Sequence, residues 1–280
     1  MPEGPEVRIV SEYLNRCLEN EIIEKIECIS LPYEIKYGEL IKEVNTFLPQ
    51  KFNKSFCRGK ATFIKLCENT YFSYHLGMTG YWSDKKKKHA HLKLKSKNKT
   101  LYFHDTRRFG SIQVIDSQLL NSKYNLDRDL LNNSNSTDIQ VDFLTSSIKS
   151  NQEICKILLN QNYFLGVGNY LKSEILYKAK IHPHTKWNIL SNNEIKKICI
   201  NTQNIMQRCY IGGGAQIKDF KNPNNTSKLV LEVYGFEKTI VGCIVVKQKT
   251  KDNRTTYWCP DIQKIEHTNL LNNSKKHTIK

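Results

Sequence analysis

The spacing of apolar residues changes near the middle of this chain of 280 residues, and no other feature constrains the fold as much. As far as about residue 118, short segments such as 92–95 alternate apolar and polar side chains, which is typical of strands with one face in water. Beyond the polar run at 132–137, apolar residues recur at helical spacing, as at Leu171 and Ile175. The sequence therefore predicts an α+β fold in which a β-rich part precedes a helical part.

The β-rich part is expected to cover residues 20–118 and to form a sandwich. A helix is expected to lead into it, because apolar residues at 7, 10, 14 and 18 keep helical spacing. The segments with strand character lie at 63–66, 71–74, 92–95, 101–104 and 112–115.

The second half is expected to be helical and then β-like. Predicted helices lie near 144–148, 154–158, 171–176 and 193–209, and predicted strands at 229–234, 240–247 and 255–259, with turn residues at Asp252-Asn253. We therefore divide the chain into segments 1–131, 138–225 and 226–271, followed by a polar tail at 272–280 that is expected to be disordered.

Composition narrows the class of protein. Forty-three Lys and Arg against 27 Asp and Glu give a net charge of +16, which favours a polyanionic partner. Nine scattered cysteines, an odd number, favour a reduced intracellular protein over a secreted, disulfide-linked one. No apolar run suits a membrane span or a secretory signal, so we expect no membrane partner.

The first six residues carry unusual chemistry. If Met1 is removed, Pro2 becomes an N-terminal secondary amine, which is a nucleophile, and two carboxylates follow at Glu3 and Glu6. The alternative is structural: Pro5 suits a first helical turn, and acids there favour the helix dipole. That alternative explains Glu6, but it does not explain why the chemistry begins at residue 2.

A glycine-rich turn at 165–169 joins two of the predicted helices. Such a turn exposes backbone N–H groups that bind a phosphate well, with Gly168 in the turn, Asn169 as a further donor and Lys156 as a nearby charge. The alternative, a helical corner that only packs, is equally consistent with the sequence.

Two long motifs, in the same order, resemble one known family. Residues 2–7 resemble the N-terminal signature of the formamidopyrimidine-DNA glycosylase and endonuclease VIII family, and residues 159–183 resemble its helix–two-turn–helix. The resemblance implies a catalytic β-sandwich domain (1–131), a DNA-binding helix–two-turn–helix domain (138–225) and a C-terminal β-hairpin finger (226–271). It also implies a bifunctional DNA glycosylase and abasic-site lyase of base excision repair, acting as a monomer on damaged DNA without a cofactor.

The resemblance assigns roles to particular residues. Pro2 is implied to attack C1′ of the damaged nucleotide and Glu3 to protonate the sugar ring oxygen, with Glu6 as a second catalytic glutamate. Lys60 is implied to reach both the active site and a DNA phosphate, and Arg254 to contact the phosphates that flank the lesion. The further DNA-binding residues are Lys156, Gly168 and Asn169.

Two loops resemble the segments that fill the space left by an everted nucleotide. Met78 and Phe109 are suitable wedges and Arg108 a partner for the orphaned base, although core packing is the usual role of a Met or a Phe. The loop expected to close over the everted base contributes Ala215, Gln216 and Ile217.

The C-terminal finger departs from the family pattern. The family carries two Cys-x2-Cys pairs that bind zinc, whereas here Cys259 alone occupies an expected ligand position, Ile262 replaces its partner, and no such pair surrounds Cys243. We therefore predict no zinc and a zincless finger, with a small apolar core of Ile240, Val245, Tyr257 and Trp258.

The finger and the complete set of wedge residues favour an endonuclease VIII-like enzyme for oxidised pyrimidines and hydantoins, acting through a Schiff base and β,δ-elimination. The first alternative is a preference for 8-oxoguanine or formamidopyrimidines. The second is a non-catalytic binder of DNA or structured RNA, for which a free Pro2 amine has no use. The protein is expected inside the cell, in the nucleus if the host is eukaryotic.

Overall fold

In the computed structural model, a β-rich first half is followed by a helical second half, as the spacing of apolar residues predicts. The structure describes residues 1–132, 137–216, 220, 222–223, 227 and 229–264. The helices are α1 Gly4–Leu18, α2 Leu31–Asn45, α3 Ser117–Lys123, α4 Thr137–Ser147, α5 Ile154–Leu159, α6 Asn169–Ala179 and α7 Asn192–Ile211. The strands are β1 Ile22–Cys28, β2 Gln50–Lys51, β3 Ser55–Arg58, β4 Ala61–Lys65, β5 Thr70–His75, β6 Gly80–Ser83, β7 Ala90–Ser96, β8 Thr100–Asp105, β9 Ser111–Asp116, β10 Val246–Lys249 and β11 Thr255–Trp258. The predicted tail at 272–280 lies outside the described residues.

Two antiparallel sheets form the predicted sandwich. One sheet has the order β2-β1-β7-β8-β6 and the other β3-β4-β5-β9. The inward side chains of the strands and the apolar stripe of α1 share one core, in which Leu14, Leu92 and Phe103 are fully buried. The predicted α+β class, the leading helix and the sandwich are confirmed.

Helix α2 is absent from the sequence prediction, which treated residues 20–118 as mostly β. It has a Pro in its first turn and buries Tyr33, Tyr37, Ile41 and Val44, whose spacing of four, four and three residues is helical. Two of these four residues are tyrosines, a type that is enriched in strands, so the segment resembled the short strands around it. The prediction for this segment is wrong.

The helical half packs around a second core. Helix α5, a turn and α6 form the predicted helix–two-turn–helix, and Phe164, Val167 and Leu171 anchor it in this core. Helix α7 begins at a capping box of Ser191 and Glu194. Its range includes all of the helix predicted at 193–209. No helix among the described residues is long and apolar enough to cross a membrane.

The C-terminal finger differs from its prediction in three places. The strand predicted at 240–247 begins only at Val246, because the chain turns before it, where the Gly242 N–H donates to the Thr239 carbonyl oxygen at 2.9 Å. Residues 229–234 do not form a strand, because the backbone N–H groups of residues 232–234 donate to the Glu174 carboxylate instead of to a ladder. Strands β10 and β11 pair across the predicted turn at 252–253, but Ile240 is 82% exposed and does not join the core. Val245 is buried as predicted, and the core that the finger has consists of Tyr177, Val233, Val245 and Cys259.

Candidate active site

The start of α1 meets the start of α6, and this contact forms the centre of the site. The Gly4 N–H donates to the carbonyl oxygen of Gly166 at 2.9 Å, and a Cβ on Gly4 would lie 3.3 Å from the Gly166 Cα. Gly166 has a φ of +86°, which suits glycine. These two glycines let the backbones approach, so that Glu3 reaches the helix–two-turn–helix.

The Glu3 carboxylate occupies the N-terminus of α6. It accepts hydrogen bonds from the backbone N–H groups of Gly168 (2.6 Å), Tyr170 (3.0 Å) and Leu171 (3.3 Å). A carboxylate at a helix N-terminus is favoured by the free N–H groups and by the helix dipole. The sequence predicted that these N–H groups bind a DNA phosphate. In the structure the Gly168 N–H donates to the Glu3 carboxylate instead, so that part of the prediction is wrong.

Glu3 is nevertheless able to hold a proton near neutral pH. Burial raises the pKa of its carboxyl from about 4.5 to about 7, although the charge of Lys60 and the N–H donors oppose the shift. Glu6 adds a smaller upward effect as a like charge. A carboxyl with a pKa near the working pH suits general acid catalysis.

Glu6 lies behind Glu3 and holds its backbone. Its carboxylate accepts from the Glu3 N–H at 2.8 Å, the Tyr170 hydroxyl at 2.9 Å and the Ala215 N–H at 2.9 Å. The side chain is fully buried, and burial raises its pKa. Glu6 therefore connects α1, α6 and the loop after α7, and it positions Glu3 without lining the cavities described below.

Lys60 enters the site from the turn between β3 and β4. Gly59 has a φ of +57° and donates its N–H to the buried Asp129 carboxylate at 2.8 Å, which fixes the turn. Burial lowers the pKa of Lys60, and the nearby Glu3 carboxylate raises it. An ammonium group thus lies beside the acid.

Two adjoining cavities open around these residues. One, of about 290 Å³, is lined by Pro2, Lys60, His75 and Phe109 among others. The other, of about 510 Å³, is lined by Glu3, Lys60, Met78, Asn169, Gln216 and Arg254 among others. Met1 lines both cavities and Pro2 is buried behind it. The structure thus brings together residues 2, 60 and 254, which the sequence separates widely.

The predicted wedge residues lie on two loops that pack against each other. A Cβ on Gly77, whose φ is +60°, would lie 2.5 Å from the Phe109 carbonyl carbon, so only glycine permits the contact. Phe109 is 56% exposed, and the Arg107 guanidinium lies 4.6 Å from its ring centroid. Arg108 is exposed with a φ of +56°, and Met78 lines the larger cavity. None of the three is a core residue, which argues against the packing alternative.

We expect Phe109→Ala to weaken base excision. If Phe109 stacks in the duplex, its loss removes roughly 1–3 kcal/mol of stacking, or about 5- to 150-fold in kcat/KM. Steady-state kinetics on duplex DNA with one lesion measure this. Ile35→Ala, an exposed apolar residue of α2 that lines neither cavity, is the matched control and should change kcat/KM less than twofold. An equal loss in both variants would contradict the assignment.

The remaining predicted site residues lie around the cavities. Lys156 is exposed on α5 and lines neither of them. Asn169 donates through its side-chain amide to the Thr255 carbonyl oxygen at 2.8 Å, so this donor holds the finger. Ala215 is buried, Gln216 is exposed at the cavity edge, and Ile217 lies outside the described residues.

The finger brings two thiols together. The Cys243 and Cys259 Sγ atoms and an Asp261 carboxylate oxygen all lie within 4.8 Å of one another. Structural zinc sites are closed by four donors, mostly thiolates. Here two thiols and one exposed carboxylate meet, and burial raises the pKa of Cys259, which opposes thiolate formation. These residues do not fit the family's four-thiolate site.

We therefore expect purified protein to contain less than about 0.1 equivalent of zinc, because three mismatched donors retain the metal poorly. Elemental analysis after gel filtration measures the content. A chelator should leave the thermal midpoint unchanged. One equivalent of zinc, together with a fall in the midpoint on chelation, would overturn this prediction.

Sequence reasoning missed several residues that build the site. Tyr170 supplies both a backbone donor to Glu3 and a hydroxyl donor to Glu6, Asp129 fixes the Lys60 turn, and Glu174 holds the start of the finger. Asp129 and Glu174 each follow a charged or polar residue in the sequence, so no local pattern marks either as buried. The partners of all three residues lie 58 to 167 residues away along the chain, so spacing does not reveal them.

Comparisons with known proteins agree with this geometry. The formamidopyrimidine-DNA glycosylase N-terminal domain matches residues 1–112, and the H2TH domain of that enzyme matches residues 130–221. A formamidopyrimidine-DNA glycosylase of Rickettsia bellii is 31% identical over 94% of this chain and 100% of its own length, and that of Zymomonas mobilis is 30% identical over the same shares.

Solved structures show the same likeness. Lactococcus lactis Fpg in complex with abasic-site DNA has 26% identity and a TM-score of 0.78. MutM in complex with DNA that contains carbocyclic 8-oxo-G has the same two values. Each similarity covers 94% of this chain and 100% of the other. With its N-terminal domain, its helix–two-turn–helix and 94% of its length matched, the chain belongs to the formamidopyrimidine-DNA glycosylase and endonuclease VIII family of DNA N-glycosylases with abasic-site lyase activity.

Proposed function

We propose that this enzyme removes an oxidised base from damaged DNA through a Schiff base on Pro2 and then cleaves the strand by β- and δ-elimination. The observation that carries the proposal is the meeting of Pro2, Glu3 and Lys60 around two adjoining cavities, with an acid whose pKa is about 7.

Removal of Met1 precedes the chemistry. Met1 lines both cavities in front of Pro2, so its loss opens the proline nitrogen toward them. An N-terminal α-amine has a reference pKa of about 7.7–8.0, which leaves a neutral, nucleophilic fraction near neutral pH.

In the glycosylase step, the Pro2 nitrogen bonds to C1′ while the bond from C1′ to the base breaks. The base leaves with that electron pair and takes up a proton, while the Pro2 nitrogen releases its own proton and so regains the lone pair that the next step needs. Glu3 then gives its proton to O4′ as the C1′–O4′ bond opens, which leaves an iminium between Pro2 and C1′. The raised pKa of Glu3 supports this role, since the acid must be protonated before it can donate.

In the lyase step, the iminium acts as an electron sink. Loss of a C2′ proton expels the 3′ phosphate, and a second elimination expels the 5′ phosphate. Water then hydrolyses the iminium and regenerates the Pro2 amine. Lys60 and Arg254 carry the positive charge that lines the cavities, and they are the residues we assign to the flanking phosphates.

For the lesion, we favour formamidopyrimidines and 8-oxoguanine over oxidised pyrimidines and hydantoins. The sequence alone favoured oxidised pyrimidines and hydantoins, because the zincless finger and the complete set of wedge residues resemble endonuclease VIII-like enzymes. The relatives are formamidopyrimidine-DNA glycosylases at 30–31% identity over 94% of this chain, and this supports the purine class.

A panel of duplexes that each contain one lesion tests the proposal. The lesions are 8-oxoguanine, a formamidopyrimidine, thymine glycol, a hydantoin and a preformed abasic site, and kcat/KM is measured for each. We expect the two purine lesions to exceed thymine glycol by at least about tenfold, a difference of 1.4 kcal/mol in transition-state binding. A reversed order would restore the pyrimidine prediction. Binding without cleavage of any duplex would favour a non-catalytic binder.

A further inference from the structure

A fully buried ion pair joins the finger to the helix that carries the active-site turn. The Lys172 ammonium of α6 contacts the Asp252 carboxylate, and their side chains are 0% and 3% exposed. A buried ion pair contributes little to net stability against a well-packed apolar pair, because both charges lose their hydration. A role in positioning neighbouring residues therefore explains the pair better than a role in stability does.

Asp252 closes the turn that presents Arg254. One carboxylate oxygen contacts Lys172, and the other accepts from the Thr250 hydroxyl at 2.6 Å and from the Arg254 N–H at 3.1 Å. The Thr250 N–H donates in turn to the Arg254 carbonyl oxygen at 3.0 Å. Asn253, with a φ of +61°, completes the turn between β10 and β11. A single carboxylate thus fixes the backbone of Arg254 and connects it to α6.

The first turns of α6 hold both halves of the site. The backbone of Gly168 and Tyr170 binds the Glu3 carboxylate, and Lys172 follows within the next turn. On the same helix, Asn169 bonds the Thr255 carbonyl oxygen and the Ser173 hydroxyl accepts from the Tyr257 N–H at 3.2 Å. The catalytic acid and the Arg254 turn therefore share one rigid support.

The finger has particular need of such support. Its two thiols and one carboxylate do not form a four-thiolate site that would hold the hairpin. The Lys172–Asp252 pair joins α6 to the described part of the finger through two charged side chains that are both buried. Lys178 and Glu232 also join α6 to the finger segment, but their side chains are 36% and 17% exposed.

We propose that Lys172 and Asp252 are positioning residues, which hold Arg254 over the cavity so that it grips a phosphate beside the lesion. The proposal rests on the proposed function, in which Arg254 contacts the DNA. Neither residue lines the cavities, so both act through Arg254.

A double-mutant cycle between Asp252 and Arg254 tests this role. The variants are Asp252→Asn, Arg254→Ala and the double variant, each assayed on abasic-site duplex DNA. We expect Arg254→Ala to raise KM roughly tenfold or more, as loss of a charge-assisted contact does. We expect Asp252→Asn to raise KM about fivefold with kcat unchanged, as loss of uniform binding does. In the Arg254→Ala background, Asp252→Asn should raise KM less than twofold more. If KM of the double variant rises by the product of the two single effects, the two residues act independently and the proposal is wrong.

Two further variants separate positioning from folding. Lys172→Met with Asp252→Asn removes both charges, so no charge is left buried alone, and the turn keeps an acceptor for the Arg254 N–H. We expect this variant to recover the thermal midpoint lost in Asp252→Asn while KM stays raised. If KM returns to the wild-type value, the pair only stabilises the fold. Lys178→Met, on the same helix, is the matched control and should leave KM within twofold.

The cycle also distinguishes its own failure from that of the proposed function. A wild-type protein that forms no borohydride-stable complex with abasic-site DNA would refute the proposed chemistry. A wild-type protein that does form one, together with Asp252→Asn at wild-type KM, would refute the positioning role and leave the chemistry standing.

Discussion

A chain whose Pro2 nitrogen is blocked should form no borohydride-stable complex with abasic-site DNA. The proposed covalent step needs a lone pair on that nitrogen, and an amide has none to give. A Gly-Ser extension in front of Met1 keeps Pro2 within a peptide bond and moves the free amine away. We expect the rate of complex formation to fall by on the order of 10³-fold or more, as when a nucleophile is removed from other enzymes.

The extension should leave the rest of the protein intact. Met1 is exposed, so additional residues in front of it have room, and the thermal midpoint should shift by less than about 2 °C. Affinity for abasic-site DNA should stay within about tenfold, because the basic surface is unchanged. An extended chain that traps DNA at the rate of the processed chain would contradict the role of Pro2.

Glu3→Gln should lower kcat for base excision by roughly 10²- to 10⁴-fold, the usual contribution of a positioned general acid. The amide has no acidic proton to give to O4′, although it still fills the space at the start of α6. Single-turnover assays on duplex DNA with one lesion measure the effect. A preformed abasic site exists partly as a ring-opened aldehyde, which Pro2 attacks without protonation of O4′, so the loss on that substrate should be smaller.

The pH profile gives the sign of the Glu3 contribution. The acid is active when protonated, and its pKa is raised to about 7, so the Glu3 contribution to kcat/KM should fall as pH rises through about 7. The neutral fraction of the Pro2 amine rises over the same range in every variant, so the Glu3 limb is read from the ratio of the wild-type kcat/KM to that of Glu3→Gln. That limb should be absent from Glu3→Gln. Glu19→Gln, which changes an exposed glutamate just beyond α1, is the control. It should keep the wild-type kcat/KM and the same dependence on pH. A ratio of wild-type to Glu3→Gln kcat/KM that is constant between pH 6 and 8, where roughly a tenfold fall is expected, would contradict the assignment.

The general architecture could be predicted from the sequence because its signals are local. The change from period-two to helical spacing predicted the sandwich and the helices after it, and the family resemblance of residues 159–183 predicted the helix–two-turn–helix. Helix α2 was missed because two of its four stripe residues are tyrosines, which are enriched in strands, and short apolar segments on each side suggest strands. Ile240 was assigned to the finger core on hydrophobicity alone, and it faces solvent.

The site could be predicted only where chemistry and resemblance coincide. Pro2 and Glu3 are conspicuous in the sequence, but the partner of the Glu3 carboxylate is the start of α6, 165 residues away. A free helix N-terminus suggests an anion, and the sequence does not say whether that anion is a phosphate or a carboxylate of the same chain. The Lys172–Asp252 pair was missed for a related reason, since a buried lysine is recognised only from its partner.

Mass spectrometry of the trapped complex tests the central claim most directly. After borohydride reduction, nuclease and trypsin, the N-terminal peptide Pro2–Arg8 should carry the sugar remnant, and fragmentation should place it on the Pro2 nitrogen. A remnant on Lys60, on a retained Met1 amine or on another lysine would contradict the account.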